Sequence, residues 1–201
     1  MTALGQDEEE EEEKEERGPR RLAEKLLKSR TVLLTEQIDK ELAEDVVTKL
    51  LLLDQEGDEP IKLYINSPGG DVDAGFAIYD MAQFIDSPVI CISAGLTASA
   101  AVVALLAAPT ERRLSLPNSR FLLHQPSTGV RGSTADIEIE ADEILKMRDR
   151  INELIAEQTG QDLEKVEKDT QRNFWMDADQ ALDYGLISRI VESKRDVEEG
   201  S

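Results

Sequence analysis

The chain has 201 residues, of which 40% are hydrophobic and only 4% are aromatic, and its formal net charge at pH 7 is −20. This length suits one domain, or one domain with a tail, built around an aliphatic core. The acidic balance argues against a basic surface for nucleic acid or anionic membranes, and the longest apolar run, 94–108, is too short to span a bilayer.

The N-terminal segment carries a large share of the charge. Residues 1–16 contain nine acidic residues and one lysine. Self-repulsion and the lack of apolar residues predict a disordered acidic tail over 1–21. It has neither the basic nor the apolar part of a signal peptide, which favours a cytoplasmic protein. We expect one domain over 22–194 and a short acidic tail over 195–201.

Strand-like and helix-like segments alternate along the rest of the chain. Strands are predicted in TVLLT, IKLYIN, PVICIS, RRLSLPN, RFLLHQP and the closing ISRIV segment. Helices are predicted in RLAEKLLKSR, DKELAEDVVTKLLLLDQE, 74–85, the alanine-rich run after PVICIS, 133–160, DLEKVEKDTQ and DADQALDYG. The wholly apolar PVICIS segment is typical of a strand in a sheet covered on both faces. The alternation predicts an α/β fold.

The helix predicted over 133–160 is unusually long for a domain of this size. Ser133 or Thr134 supplies an N-terminal cap and Gly160 a stop. Two interpretations fit its apolar residues equally well: it lies on the sheet, or it is an arm that packs against another subunit.

Cysteine and histidine each occur once. Cys91 cannot form an intrachain disulfide, and its apolar neighbours indicate a buried thiol. The lone His124 rules out a His-rich zinc site within one subunit, so no metal site is expected.

Two glycine-containing turns follow two apolar strands and carry the candidate chemistry. Ser99 lies in SAGLTASA, where its hydroxyl can attack a carbonyl, and His124 is the one imidazole that can act as its base. The N–H groups of Gly70, in NSPGG, and Ala100 can hold the resulting oxyanion. Taken singly, Ser99 is also explained as a small packed residue and His124 as a structural one.

These segments resemble ClpP, the proteolytic subunit family of the Clp proteases. The resemblance covers roughly 29–193 and includes YINSPGGDVDAGFAIYD, the serine in TASA, LPNSRFLLHQP, DIEIEADEILKMRDRINEL and QALDYGLI, in the family's order. It implies a ClpP/crotonase-like fold whose protruding handle helix matches 132–159. It also implies a serine endopeptidase that degrades unfolded polypeptides.

By position, the resemblance makes Ser99 the nucleophile, His124 the general base, and Gly70 and Ala100 the oxyanion donors. It further implies a homo-oligomer of two stacked heptamers, fed by a hexameric AAA+ unfoldase such as ClpX, ClpA or ClpC. ATP is used by that partner, so no cofactor is expected in this chain.

The chain departs from the family pattern at several positions. Asn173 stands where the third triad member is usually Asp, and an amide can orient the imidazole but cannot stabilise the imidazolium with a full charge. Ala100-Ala101 replace the usual Met-Gly, and Gln171 replaces an acid before Arg172. The acidic N-terminus replaces an apolar segment that grips the unfoldase.

Two alternatives therefore stand beside the peptidase hypothesis. One is a catalytically weakened ClpP paralogue that serves as a structural or regulatory subunit of a mixed ring, because of Asn173. The other, more distant, is a crotonase-fold acyl-CoA enzyme, which also uses glycine turns as an oxyanion hole.

Overall fold

The computed structural model describes residues 22–126, 129 and 131–198. The predicted tail over 1–21 lies outside these residues. Helices, numbered in chain order, are α1 (22–28), α2 (Lys40–Glu56), α3 (Val72–Phe84), α4 (Ala100–Leu105), α5 (Thr134–Thr159), α6 (Leu163–Thr170), α7 (Ala178–Tyr184) and α8 (Lys194–Glu198). Strands are β1 (Thr31–Leu34), β2 (Ile61–Ser67), β3 (Val89–Ala98), β4 (Arg113–Ser115), β5 (Arg120–Leu123), β6 (Phe174–Asp177) and β7 (Arg189–Ile190).

The described strands form one seven-stranded sheet that confirms the α/β prediction. Parallel strands follow the order β1-β2-β3-β4-β7, while β5 pairs with β3 in parallel and with β6 in antiparallel orientation. Two strands pair with the same edge of β3: β4 pairs with Cys91–Ser93, and β5 pairs with Leu96–Ala98. This division brings the end of β3 beside β5.

Both faces of the sheet are covered at β3, as the apolar PVICIS segment predicts. Cys91 belongs to the main core, which also includes the buried faces of α2, α3 and α4. Ile90 and Ile92 point to a smaller cluster that includes Val197 of α8. Helix α8 overlaps the acidic tail predicted over 195–201. Because Val197 packs in this cluster, the folded domain extends at least to residue 197.

The long helix is confirmed and has the ends that its sequence predicts. Ser133 and Asp136 form a capping box at its start, and Gly160 adopts a left-handed conformation with φ 73° at its end. Only Ile151, Asn152 and Ile155 of α5 are buried. Its first half is therefore exposed within a single subunit.

The helix predicted in the alanine-rich run has Ser99 at its N-terminus, as expected, but the residues before Ser99 are not helical. Residues 94–98 continue β3, because Gly95 at φ 124° lets the strand pass close to Asn66, whose side chain accepts from the Leu96 N–H. Helix α4 then has only six residues. Strand β6 has no counterpart among the predicted elements.

Arg30 joins the end of α2 to two loops, and its removal is expected to destabilise the fold. Its guanidinium donates to the carbonyls of Leu53, Gly57 and Glu59 and to Ser87 Oγ, at 2.8–3.0 Å. Loss of these charged hydrogen bonds predicts that Arg30→Ala lowers the free energy of unfolding by about 2–3 kcal/mol. The corresponding fall in Tm is about 5–10 °C.

Thermal unfolding at one fixed subunit concentration measures this effect. The half-buried Arg148, which pairs with its neighbour Asp149, provides the control variant Arg148→Ala. Equal Tm values for the two variants would contradict the role assigned to Arg30.

Candidate active site

Ser99 lies on a strained turn between β3 and α4. Its backbone has φ 55° and ψ −124°, a conformation that is unusual for a residue with a side chain. The Ser99 N–H donates to Leu122 O at 2.9 Å, which ties the turn to β5. Such strand-to-helix turns expose a serine hydroxyl, and strain of this kind concentrates at functional sites.

One predicted oxyanion donor, Ala100, directly follows Ser99 in the chain, and the other, Gly70, lines the same cavity as Ser99. Ala100 is the first residue of α4, so its N–H has no partner within the helix. Gly70 forms an isolated β-bridge with Ile38. The two hydrogen bonds of this bridge run from the Ile38 N–H to Gly69 O and from the Asp71 N–H to Ile38 O, so neither uses the Gly70 N–H. Among the described residues, neither the Gly70 nor the Ala100 amide has a hydrogen-bond acceptor.

Ser99 and His124 line the same cavity, which has a volume of about 680 Å³ and also includes Gly70. His124 follows β5 directly and is half-buried; this burial lowers the pKa of its imidazole below the usual 6.5. Within the described chain, no hydrogen bond joins Ser99 Oγ to the imidazole. Catalytic hydrogen bonds are often long in the free enzyme and tighten around substrate.

Asn173 lies next to His124 along the sheet but does not line the cavity. Strands β5 and β6 pair Leu123 with Phe174, and continuing this register by one place sets His124 opposite Asn173. The Asn173 side chain is exposed, and no described hydrogen bond joins it to the imidazole. The structure thus brings Ser99, His124 and Gly70 into one cavity and leaves Asn173 at its border.

A second, apolar recess continues behind the two candidate catalytic side chains. Ser99, Ala100 and His124 line it, together with aliphatic residues from α3, α4, β5 and α5: Val72, Val102, Val103, Leu123, Ile151 and Ile155. The long helix therefore supplies part of the site as well as an exposed arm.

Sequence reasoning chose Gly70 of the NSPGG turn and missed the role of Gly69. Gly69 has φ 83°, and a Cβ added there would lie 2.7 Å from Ser99 Cβ and 2.9 Å from the Ala100 N atom. No side chain fits between the two turns. The two successive glycines that follow β2 were the feature of the sequence that could have indicated this close approach.

We predict that Gly69→Ala lowers kcat/KM by about 100-fold, because it displaces the turn that carries Ser99. Steady-state hydrolysis of a fluorogenic peptide measures this loss. Gly160→Ala is the matched control, since Gly160 also has a positive φ of 73° but no atom within 4 Å of an added Cβ. Equal activity of the two variants would show that the contact with Ser99 is unimportant.

The sequence matches the family model described as Clp protease over residues 13–194. It is 51% identical over 179 residues to ATP-dependent Clp protease proteolytic subunit 2 of Treponema denticola, with 89% of this chain and 90% of that protein covered. It is 52% identical over 172 residues to proteolytic subunit 3 of Rhizobium etli, covering 86% of this chain and 89% of that one.

A solved structure is also similar. A ClpP1 mutant from Listeria monocytogenes, with an asparagine-to-aspartate substitution, matches with a TM-score of 0.82 and 47% identity. The match covers 88% of this chain and 99% of that one. Both the sequence and the backbone are thus similar to the same group of proteins.

Proposed function

The chain belongs to the Clp protease family, and we propose that Ser99 and His124 perform its peptide hydrolysis as nucleophile and general base. The chain is a serine endopeptidase subunit of an ATP-dependent protease that degrades polypeptides. The observation that carries the residue assignment is the shared cavity of Ser99, His124 and Gly70.

The proposed reaction starts at the Ser99 hydroxyl. His124 accepts the Oγ proton as Oγ bonds to the carbonyl carbon of the scissile peptide, and the negative charge develops on the carbonyl oxygen. The N–H groups of Gly70 and Ala100, which have no acceptor among the described residues, stabilise that oxygen. The imidazolium then protonates the leaving amine, and water releases the acyl group by the same steps.

Asn173 is proposed as the third member of this group. The β5–β6 register supports this proposal, because its continuation sets Asn173 opposite His124, where an amide oxygen could orient the imidazole. It brings no charge to stabilise the imidazolium, so it acts more weakly than an aspartate. The relatives are named proteolytic subunits, which favours the peptidase over a purely structural paralogue.

Clp protease subunits form oligomers that work with an unfoldase, and for this chain we propose two stacked heptamers. The exposed half of α5 supports this arrangement, because Ile137, Ile139 and Leu145 are 43%, 61% and 46% exposed within one subunit. Their burial against the opposite ring would stabilise the stack. This assigns α5 as an arm rather than a helix lying entirely on the sheet.

The partner is proposed to be an AAA+ unfoldase such as ClpX, ClpA or ClpC. It uses the ATP, and peptide hydrolysis itself needs no cofactor on this chain.

We also propose a crotonase-like core and a cytoplasmic location, the latter supported by family membership. Among the described helices, none has the length and apolar character needed to cross a bilayer.

Native mass spectrometry and a peptide-cleavage assay on the same purified sample test the proposal. We expect a fourteen-subunit species that cleaves an unstructured peptide without ATP. A species of fourteen subunits that gives no cleavage even with the Asn173→Asp substitution would contradict the residue assignment, whereas a cleaving species of another size would contradict the stacked heptamers.

A further inference from the structure

We infer that the cleft around Ser99 selects peptides with a basic side chain close to the scissile bond. This inference rests on the proposed function and adds a substrate preference to it. Three carboxylates from two elements line the cavity that holds Ser99 and His124: Asp71 and Asp73 at the start of α3, and Glu143 on α5. No described Lys or Arg lines this cavity.

The three carboxylates differ in their availability. Asp71 caps α3, with Oδ1 accepting from the Ala74 N–H at 2.7 Å. Glu143 pairs with the exposed Lys146 at 2.6 Å. Asp73 is exposed and has no hydrogen bond or ion pair with another described residue. Asp73 is therefore the principal specificity residue in this cleft, and the other two carboxylates add to the negative potential.

The acids line the larger of the two spaces beside Ser99 and His124. The apolar recess directly behind these residues has a volume of only about 20 Å³, room for about one water molecule, so it takes no whole side chain of the substrate. Asp73 lines the outer cavity but not this recess. The basic side chain is thus expected in the outer cavity, whose volume of about 680 Å³ accommodates it. Charges separated by more than about 8–10 Å are largely screened at physiological salt, so the local acids, rather than the net charge of the chain, decide this preference.

A set of internally quenched peptides tests the inference on the assembled protein. The peptides share one leucine and differ at a single flanking position, which carries lysine, glutamine or glutamate. We expect kcat/KM for the lysine peptide to exceed that for the glutamate peptide by about three- to tenfold at one flanking position at least, since each exposed ion pair contributes modestly. The difference should shrink in 0.5 M NaCl, a concentration chosen to screen exposed charges.

Asp73→Asn should remove most of this preference. Asp80→Asn is the matched control, because Asp80 is an exposed acid of the same helix that does not line the cavity. It removes the same charge from the chain and should leave the preference unchanged. Equal rates for the lysine and glutamate peptides at every position, or equal effects of the two variants, would overturn the inference.

Peptide binding separates this inference from the proposed function. Fluorescence anisotropy with the Ser99→Ala protein reports binding without hydrolysis. Tighter binding of the lysine peptide, lost in the Asp73→Asn/Ser99→Ala protein, supports the inference even if another residue performs the chemistry. Equal binding of the lysine and glutamate peptides overturns the inference, while Ser99-dependent cleavage would still support the proposed function.

Discussion

Ser99→Ala is expected to lower kcat for peptide hydrolysis by roughly 10³–10⁶-fold, the loss that follows removal of a serine nucleophile. Alanine lacks the Oγ that forms the acyl intermediate, and no described side chain can replace it at the turn between β3 and α4. The backbone should be preserved, since Ser99 Oγ has no described hydrogen-bond partner and alanine occupies the same volume at Cβ. Hydrolysis of a fluorogenic peptide measures the loss, and native mass spectrometry checks the assembly.

A double variant sharpens this prediction. Because nucleophile and base act as a unit, Ser99→Ala/His124→Ala should be no slower than Ser99→Ala alone. Ser193→Ala is the control, since Ser193 is exposed and belongs to the turn before α8. Retention of more than a tenth of wild-type activity in the Ser99→Ala protein would refute the nucleophile assignment.

Asn173→Asp is expected to raise kcat by at least tenfold. A carboxylate opposite His124 would stabilise the imidazolium that forms during attack, whereas the amide only orients the ring. The reverse substitution costs on the order of 10⁴ in kcat in a serine protease triad, which sets the upper bound for the gain. Steady-state kinetics at pH 8 measure the change.

The same substitution should shift the pH profile. His124 must be neutral to accept the Ser99 proton, so kcat/KM falls as the pH drops through its pKa. Burial lowers that pKa, so the acidic limb of the wild-type profile should lie below pH 6.5. A new carboxylate favours the charged imidazolium and raises the pKa. The acidic limb of the Asn173→Asp profile should therefore move to higher pH, and the gain should be smaller at pH 6 than at pH 8.

Asn118→Asp provides the matched control, since Asn118 is exposed in the turn between β4 and β5 and gains the same charge. It should change neither kcat nor the pH profile. Ordinary peptidase rates in the wild-type protein, with no gain and no pH shift in Asn173→Asp, would contradict the weak role of Asn173.

Periodicity and capping predicted most of the fold because those signals are local. Helix α5 begins and ends where Ser133 and Gly160 place its caps. The continuation of β3 past Gly95 was missed, because the alanine-rich sequence favours a helix while the strand is stabilised by pairing with β5. Strand β6 was missed for the same reason, since its four residues depend on pairing with β5.

The candidate site was predictable where a motif carries it and hidden where tertiary contacts decide it. Ser99 and His124 followed from the resemblance together with the chemistry of their side chains. The dependence of the Ser99 turn on Gly69 could not be predicted, because it follows from the distance in space between two turns about thirty residues apart in sequence. The contribution of α5 to the apolar recess likewise depends on how that helix packs across the sheet.

Covalent capture tests most directly whether residue 99 is the nucleophile. The assembled wild-type protein is treated with a fluorophosphonate, digested and mapped by tandem mass spectrometry, with the Asn173→Asp protein treated in parallel. The account predicts one modified residue, Ser99, with faster labelling in the Asn173→Asp protein. Modification of a different residue, or none in either protein while peptide cleavage proceeds, would contradict it.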